Sequence, residues 1–152
     1  MIKTTEKTSG QRVTQYSVFL KNKVGALLEV VKLLNEASIS VLGLSIQDSS
    51  ESAIVRLILS DPERAADLFE LHDIPFSDCH VLVVELPNGA EDLSRVLASL
   101  LMAEVNILFS YPLLIRPRGR SVLVMHIDDI ECASHVLAGE RFPILTQADL
   151  SR

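Results

Sequence analysis

The chain repeats itself. At an offset of 66 residues, Leu20 falls on Leu86, Asn22 on Asn88, Leu27 on Leu93, Val30 on Val96 and Leu34 on Leu100. Ala37 then falls on Ala103, Ile39 on Val105 and Val41 on Ile107, with no gap. Further on, an offset of about 67 brings Ala65 and Ala66 onto Cys132 and Ala133. Self-similarity at a fixed period means one structural unit made twice, so the fold is expected to be two copies of a single piece. A length of 152 residues could form one ordinary domain or two small ones, and the repeat favours two.

Hydrophobic periodicity supplies the elements of each copy. Residues 13–20 alternate as a strand, with Tyr16, Val18 and Leu20 on one face and Gln15, Ser17 and Phe19 on the other. Leu27, Val30, Val31, Leu34 and Ala37 form the stripe of an amphipathic helix over 25–37. A strand over 40–48, a polar turn at Asp48-Ser49-Ser50-Glu51 and a strand over 52–59 follow. Asp61-Pro62 opens a second helix, with Ala65, Leu68, Phe69 and His72 on its buried side. Residues 76–86 look extended throughout, the last strand of copy one and the first of copy two. No Gly/Ser/Pro-rich linker parts the copies. Copy two then reads as a loop over 87–92, a helix to about 104 and strands over 105–114 and 121–127. A helix capped by Asp128 and a last strand near 144–147 complete it. The pattern predicts an α+β fold, an antiparallel four-stranded sheet per copy with both helices on one face. Apolar residues on the other face, such as Phe19, Ile54 and Ile58, predict that this face is covered by sheet packing or by homodimerisation.

The loop Leu20-Lys21-Asn22-Lys23-Val24-Gly25-Ala26-Leu27 joins strand to helix. It sets backbone N–H groups, an Asn and a Gly at a helix N-terminus, where unpaired donors and the dipole favour a carboxylate. The plain alternative is a turn locally capped by Asn22. This loop, the helix stripe after it and Ala37-Ser38-Ile39-Ser40-Val41 resemble the ACT domain, a βαββαβ module that binds amino acids and regulates metabolic enzymes. The family loop is Asn-x-Pro-Gly-x-Leu, matched here by Asn22, Gly25 and Leu27, with Val24 where the family has Pro. The resemblance spans nearly the whole chain after residue 12 and implies two tandem ferredoxin-like units.

From that resemblance come the site expectations. Asn22, Lys23, Val24, Gly25, Ala26 and Leu27 would hold a free amino acid, its carboxylate on the backbone N–H groups. A polar residue opening the second strand of the neighbouring unit completes the site in such domains. Asn106 is that residue for the first loop and Ser40 for the second. Asn106 also fits a plain helix-to-strand turn. Ser45, Ile46 and Asn88 are weaker candidates. In copy two, Glu91 stands where Gly25 stands in copy one, and its charge would repel an incoming carboxylate.

Composition narrows the rest. A formal net charge of −6 argues against a nucleic-acid partner, and Arg116, Arg118 and Arg120 read as a solvated hairpin tip. No apolar run approaches a membrane span. The first twelve residues are polar apart from Met1 and Ile2 and lack an apolar core, so they read as a loose tail without a secretion signal. Cys79 and Cys132 form no C-x-x-C pair and suit a reducing cytoplasm. His126, Glu131 and His135 are metal-ligand types, but the segment reads as the start of an amphipathic helix, so no metal or cofactor is expected. No nucleophile elbow, zinc-protease motif or phosphate loop occurs, and His72 and His80 stand alone, so no catalysis is expected.

The reading is therefore a tail over 1–12, a first unit over 13–79 and a second over 80–150. Together they form a non-catalytic, cytoplasmic, homo-oligomeric sensor of an amino acid bound between the units. The alternative is a regulatory subunit of a biosynthetic enzyme, resembling the acetolactate synthase small subunit. Against it, those subunits end in a different domain, whereas here the second half repeats the first.

Overall fold

A computed structural model describes residues 11–21 and 25–151. The elements run β1 (Val13–Lys21), α1 (Ala26–Glu36), β2 (Val41–Asp48), β3 (Ser52–Leu59), α2 (Pro62–Leu71) and β4 (Phe76–Leu86). A 3₁₀ turn (Gly89–Asp92) leads into α3 (Leu93–Met102), β5 (Ile107–Pro112), β6 (Ser121–Ile127), α4 (Ile130–Gly139) and the short α5 (Gln147–Leu150). The chain divides into two compact units, Thr14–Cys79 and His80–Leu150, and residues 11–13 group with the second. Each is a ferredoxin-like βαββαβ unit of the α+β class. β4 crosses the boundary between them, so one strand serves both units.

In the first unit β3 pairs antiparallel with both β1 and β2, Leu57 lying opposite Tyr16 on one side and Leu44 on the other. Tyr16, Val18, Val55 and Leu57 then share a face with Val30 and Leu34 of α1 and Ala65 and Phe69 of α2. The rings of Tyr16, Phe69 and Phe76 meet at 5.4–5.8 Å between centroids. Truncating a fully buried Phe such as Phe69 typically costs about 3–5 kcal/mol. His72, assigned by sequence to the buried side of α2, is exposed as the residue that ends the helix.

The second unit repeats this plan on Leu82, Val84, Val96, Leu100, Met125 and Leu137. The caps repeat as well. Ser38 and Glu104, 66 apart, both take positive φ as their helices end. The Asp61 carboxylate accepts from Arg64 N–H, and the Asp129 carboxylate from Cys132 N–H. Asp61 thus matches Asp129 and buried Ala65 matches buried Ala133, an offset of 68 in place of the expected 67. The two added residues fall between β5 and β6, where the connection is longer than the hairpin of the first unit.

Three boundaries differ from the sequence reading. Asp129, not Asp128, caps α4, because the Asp128 carboxylate accepts from Asn106 N–H and Nδ2 at 3.0 and 3.1 Å. The last strand contracts to one bridge, Val84 with Ile144. The Asp149 carboxylate accepts from Thr146 N–H and Oγ1 and turns the chain into α5 at Gln147. Gln11 and Arg12, read as tail, are held: Gln147 N–H donates to the Gln11 carbonyl, and Arg12 pairs with Glu131 at 2.7 Å.

On the sheet faces away from the helices some residues are buried and others open. Gln15 and Ile58 in the first unit and Val81, Val83, Val122 and Val124 in the second are buried there, while Phe19 is 39% exposed. Glu85 shares that face and is 1% exposed. Arg118 and Arg120 each reach one of its oxygens at 3.0 Å, so two arginines of the expected solvated tip are anchored on a buried carboxylate.

Candidate functional site

Of the expected loop, Asn22, Lys23 and Val24 lie outside the described residues, and the described site begins at Gly25. Gly25 takes φ 92°, in the left-handed region, and its carbonyl accepts the first helical hydrogen bond from Glu29 N–H. An L side chain there strains the backbone. A Cβ would meet no atom within 4 Å, so the glycine answers the turn and not a crowded neighbour.

Beside Gly25 lies a cleft of about 250 Å³ lined by Leu20, Lys21, Ala26, Leu27, Ile46, Asp48, Ala53 and Val55. Strand register builds it. Lys21 stands opposite Ser52 and Asp48 opposite Ala53, so the ends of β1 and β2 flank the start of β3 beside the opening of α1. The wall is apolar from Leu20, Leu27, Ala53 and Val55, and two opposite charges, Lys21 and Asp48, lie along it. Such a lining suits a zwitterion: the ammonium of Lys21 attracts a carboxylate, and Asp48 attracts an amine. Of the expected residues, Ala26, Leu27 and Ile46 meet here. Ser45 lies on the other face of β2, as strand alternation requires. Lys21 and Asp48 were not singled out from the sequence. Asp48 read as a turn carboxylate, and only the pairing of three strands brings it to the same cleft as Lys21.

At the opening of α3 in the second unit stands a buried acid, Asp92. Asp92 is 2% exposed. Its carboxylate accepts from Asn88 N–H at 2.8 Å and lies 3.4 Å from Asn88 Nδ2. Arg95 Nη1 stands 3.5 Å from the same group. At the offset of 66, Asn88 matches Asn22 and Asp92 matches Ala26. The carboxylate at this second loop is therefore Asp92, one residue beyond the expected Glu91, which is exposed.

Asn106 is exposed in the second unit. Its backbone N–H and Nδ2 both donate to Asp128, and its carbonyl accepts from Asp128 N–H at 3.2 Å. The amide that the resemblance assigned to ligand thus serves a turn, and Oδ1 is what remains of it. In the segment weighed as a metal site, Asp128 serves Asn106, Asp129 caps α4 and Glu131 pairs with Arg12. Among the described residues, no group of three His, Cys, Asp or Glu converges as metal ligands would.

The family model of the ACT domain pair matches residues 11–152. Among solved structures the chain is similar to protein BT0572 from Bacteroides thetaiotaomicron, at 26% identity and a TM-score of 0.85, covering 93% of this chain and 97% of that one. It shares its fold with the ligand-free regulatory subunit of aspartate kinase from Thermus thermophilus (12% identity, TM-score 0.62, covering 85% and 92%). The regulatory subunit of aspartate kinase from Thermus flavus is similar in fold too (15% identity, TM-score 0.56, covering 86% and 93%). No curated protein matches the sequence.

Proposed function

The chain belongs to the ACT domain family in its paired form, and on that premise we propose that it is a non-catalytic regulatory module sensing a free amino acid at the first unit. The observation that carries this reading is the carboxylate held in the second unit. There, the copy of the candidate loop grips Asp92 through Asn88 N–H. In the first unit Ala26 stands in that place, the segment from Leu20 to Leu28 has no acidic residue, and a cleft opens alongside. A ligand carboxylate would take the role at Asn22, Lys23, Val24 and Gly25 that Asp92 takes at Asn88. Lys21 would add a second attraction for it, and Asp48 would receive the amino group. Leu27, Ile46 and Val55 would meet a short or apolar side chain. The cleft is below the roughly 300–1,000 Å³ of drug-sized pockets, which favours one small molecule. Asn106, engaged by Asp128, is outside the site in this reading.

The signal would pass through self-association or to a partner. A homo-oligomer in a reducing cytoplasm agrees with two free cysteines, Cys79 and Cys132, and no helix among the described residues is long and apolar enough to cross a membrane. A second reading makes the chain a regulatory subunit of a separate biosynthetic enzyme. The likeness in fold to aspartate kinase regulatory subunits over most of their length favours it. Co-purification of a stoichiometric catalytic subunit from the native cell would decide for it.

The test of the first reading is a thermal-shift screen of the twenty amino acids, followed by titration calorimetry, because a ligand of the folded state raises apparent stability. One site per chain is expected. No stabilisation by any amino acid, or two equal sites, would overturn the reading.

A further inference from the structure

Strand register gives the cleft beside Gly25 a direction. On the helix side of the sheet, Leu20, Ala53 and Asp48 stand in one row across β1, β3 and β2, because Ala53 is the partner of both outer residues. Two residues inward, Val18, Val55 and Ile46 form the next row, and Tyr16, Leu57 and Leu44 the one after. Rows on one face lie about 7 Å apart. The first row is open, with Asp48 exposed and Leu20 and Ala53 half-buried. In the second row Val18 and Val55 are buried, and Ile46, 55% exposed, stands at the rim. The third row belongs to the core: Tyr16 and Leu57 are buried, and the Tyr16 hydroxyl donates to the Pro62 carbonyl at 2.7 Å. The cleft thus runs from a row that holds a carboxylate to a row that is wholly aliphatic, and ends there. Leu27 of α1 also lines it.

We propose that the amino acid sensed at the first unit is an aliphatic one, of the size of valine, leucine or isoleucine, and that Ala53 and Ile46 set this choice. The inference rests on the amino-acid reading above and names the ligand class of the same cleft. With its ammonium at Asp48, a ligand directs its side chain toward Val55. One row spacing, about 7 Å, holds the ammonium, the Cα and a side chain of three or four carbons, and an aromatic ring overruns it into the buried third row. A side chain that ends in a charge or an amide would set that group among Val55, Ile46 and Leu27, which offer it no partner. Alanine leaves the second row unfilled, and each methylene buried there adds about fourfold in affinity. Ala53 keeps the space open between Leu20 and Asp48, and Ile46 makes the rim of the deep row apolar.

Titration calorimetry on the full chain, with valine, leucine, isoleucine, threonine, lysine, glutamate and phenylalanine, tests the proposal. Valine and threonine are nearly the same shape, so their ratio reads the polarity of the deep row alone. Valine is expected to bind roughly 5- to 150-fold more tightly, the effect of burying a hydroxyl without a partner. Ile46→Ser, at an exposed position, puts a hydroxyl in that row and is expected to bring the ratio toward one. Ala53→Ile fills the open row with a residue that suits a strand, and is expected to abolish valine binding at unchanged or raised thermal stability. If that variant does not fold, the ratio in Ile46→Ser decides. No binding by any amino acid overturns this inference together with the reading it rests on. Threonine equal to valine, or a charged or aromatic amino acid binding most tightly, keeps the sensor and overturns the ligand class. Valine binding that survives Ala53→Ile in a folded chain overturns the role given to the cleft.

Discussion

The loops that open α1 and α3 descend from one pattern, and they differ in whether the chain supplies a carboxylate there. Before α3, Asp92 brings a carboxylate from within the chain to Asn88 N–H. Before α1, the same register holds Ala26, and the nearest acidic residue, Glu29, lies in the first turn of the helix itself. In the proposed function, a loop filled internally is stabilised and removed from ligand binding, and a loop without its own carboxylate is left for a ligand. On that reading the asymmetry gives structure to one copy and sensing to the other.

The largest effect is expected from making the first loop like the second. Ala26→Asp places a carboxylate where Asp92 sits in the repeat, and an acid in the first turn of a helix favours the fold. Amino-acid binding should fall by more than about 100-fold, since hydrogen bonds to a charged group are worth about 1.5–3 kcal/mol and like charges would now meet. Calorimetry on a variant with wild-type thermal stability checks this, and an unchanged affinity would break the comparison.

The reverse exchange, Asp92→Ala, leaves Asn88 N–H without its acceptor and should destabilise the fold by about 1–3 kcal/mol. Denaturant unfolding measures that loss. A cost near zero would mean that the internal carboxylate contributes nothing.

Gly25→Val comes next. At φ 92° an L residue costs about 1–2 kcal/mol, and the strain should appear as roughly 5- to 30-fold weaker binding with the circular dichroism spectrum retained. Equal affinity in the folded variant would move the site elsewhere.

Asn88→Ala should do less. Its side-chain contact with Asp92 is long, at 3.4 Å, and the stronger bond comes from its backbone, which the substitution keeps. A stability change below about 1 kcal/mol and no change in ligand affinity are expected. A loss of affinity would show that the second loop binds ligand after all.

The smallest effect concerns which unit owns residues 11–13. Arg12 holds the Glu131 carboxyl below the ordinary glutamate range, by its hydrogen bond first and its charge second. A lowered folded pKa means that the stabilisation is present above the unfolded pKa and is lost as pH falls through the folded one. The group is exposed, so the effect is slight. Carbon-detected NMR titration should find the Glu131 midpoint depressed in wild type and restored by Arg12→Ala.

Much of this was legible in the residues. The offset of 66 is a statement about composition along the chain, and equal strings gave equal elements, caps and cores. The sites were less legible, for different reasons. Gly25 announces itself, because few residues tolerate its backbone. Lys21 and Asp48 do not, because each is an ordinary charge at a strand end until β3 pairs with both neighbours. Asp92 was hidden behind Glu91: two adjacent acids look alike in sequence, and only the path of the 3₁₀ turn decides which one is buried. Asn106 is ambiguous in sequence because an Asn beginning a strand serves a turn as well as a ligand, and in the fold its N–H and Nδ2 donate to Asp128, 22 residues on.

The place of residues 11–13 bears on how the chain is made. They group with the second unit, and Gln11 receives its hydrogen bond from Gln147. During synthesis these residues are made before the first unit, yet their partner follows only after most of the second. The first unit can close its own sheet while translation continues, once residues up to Cys79 have emerged. The second must hold its opening segment in reserve until Gln147 has emerged. Contacts so distant along the chain slow folding, so a nascent chain stalled before Gln147 is expected to carry one finished module and one that protease still cuts.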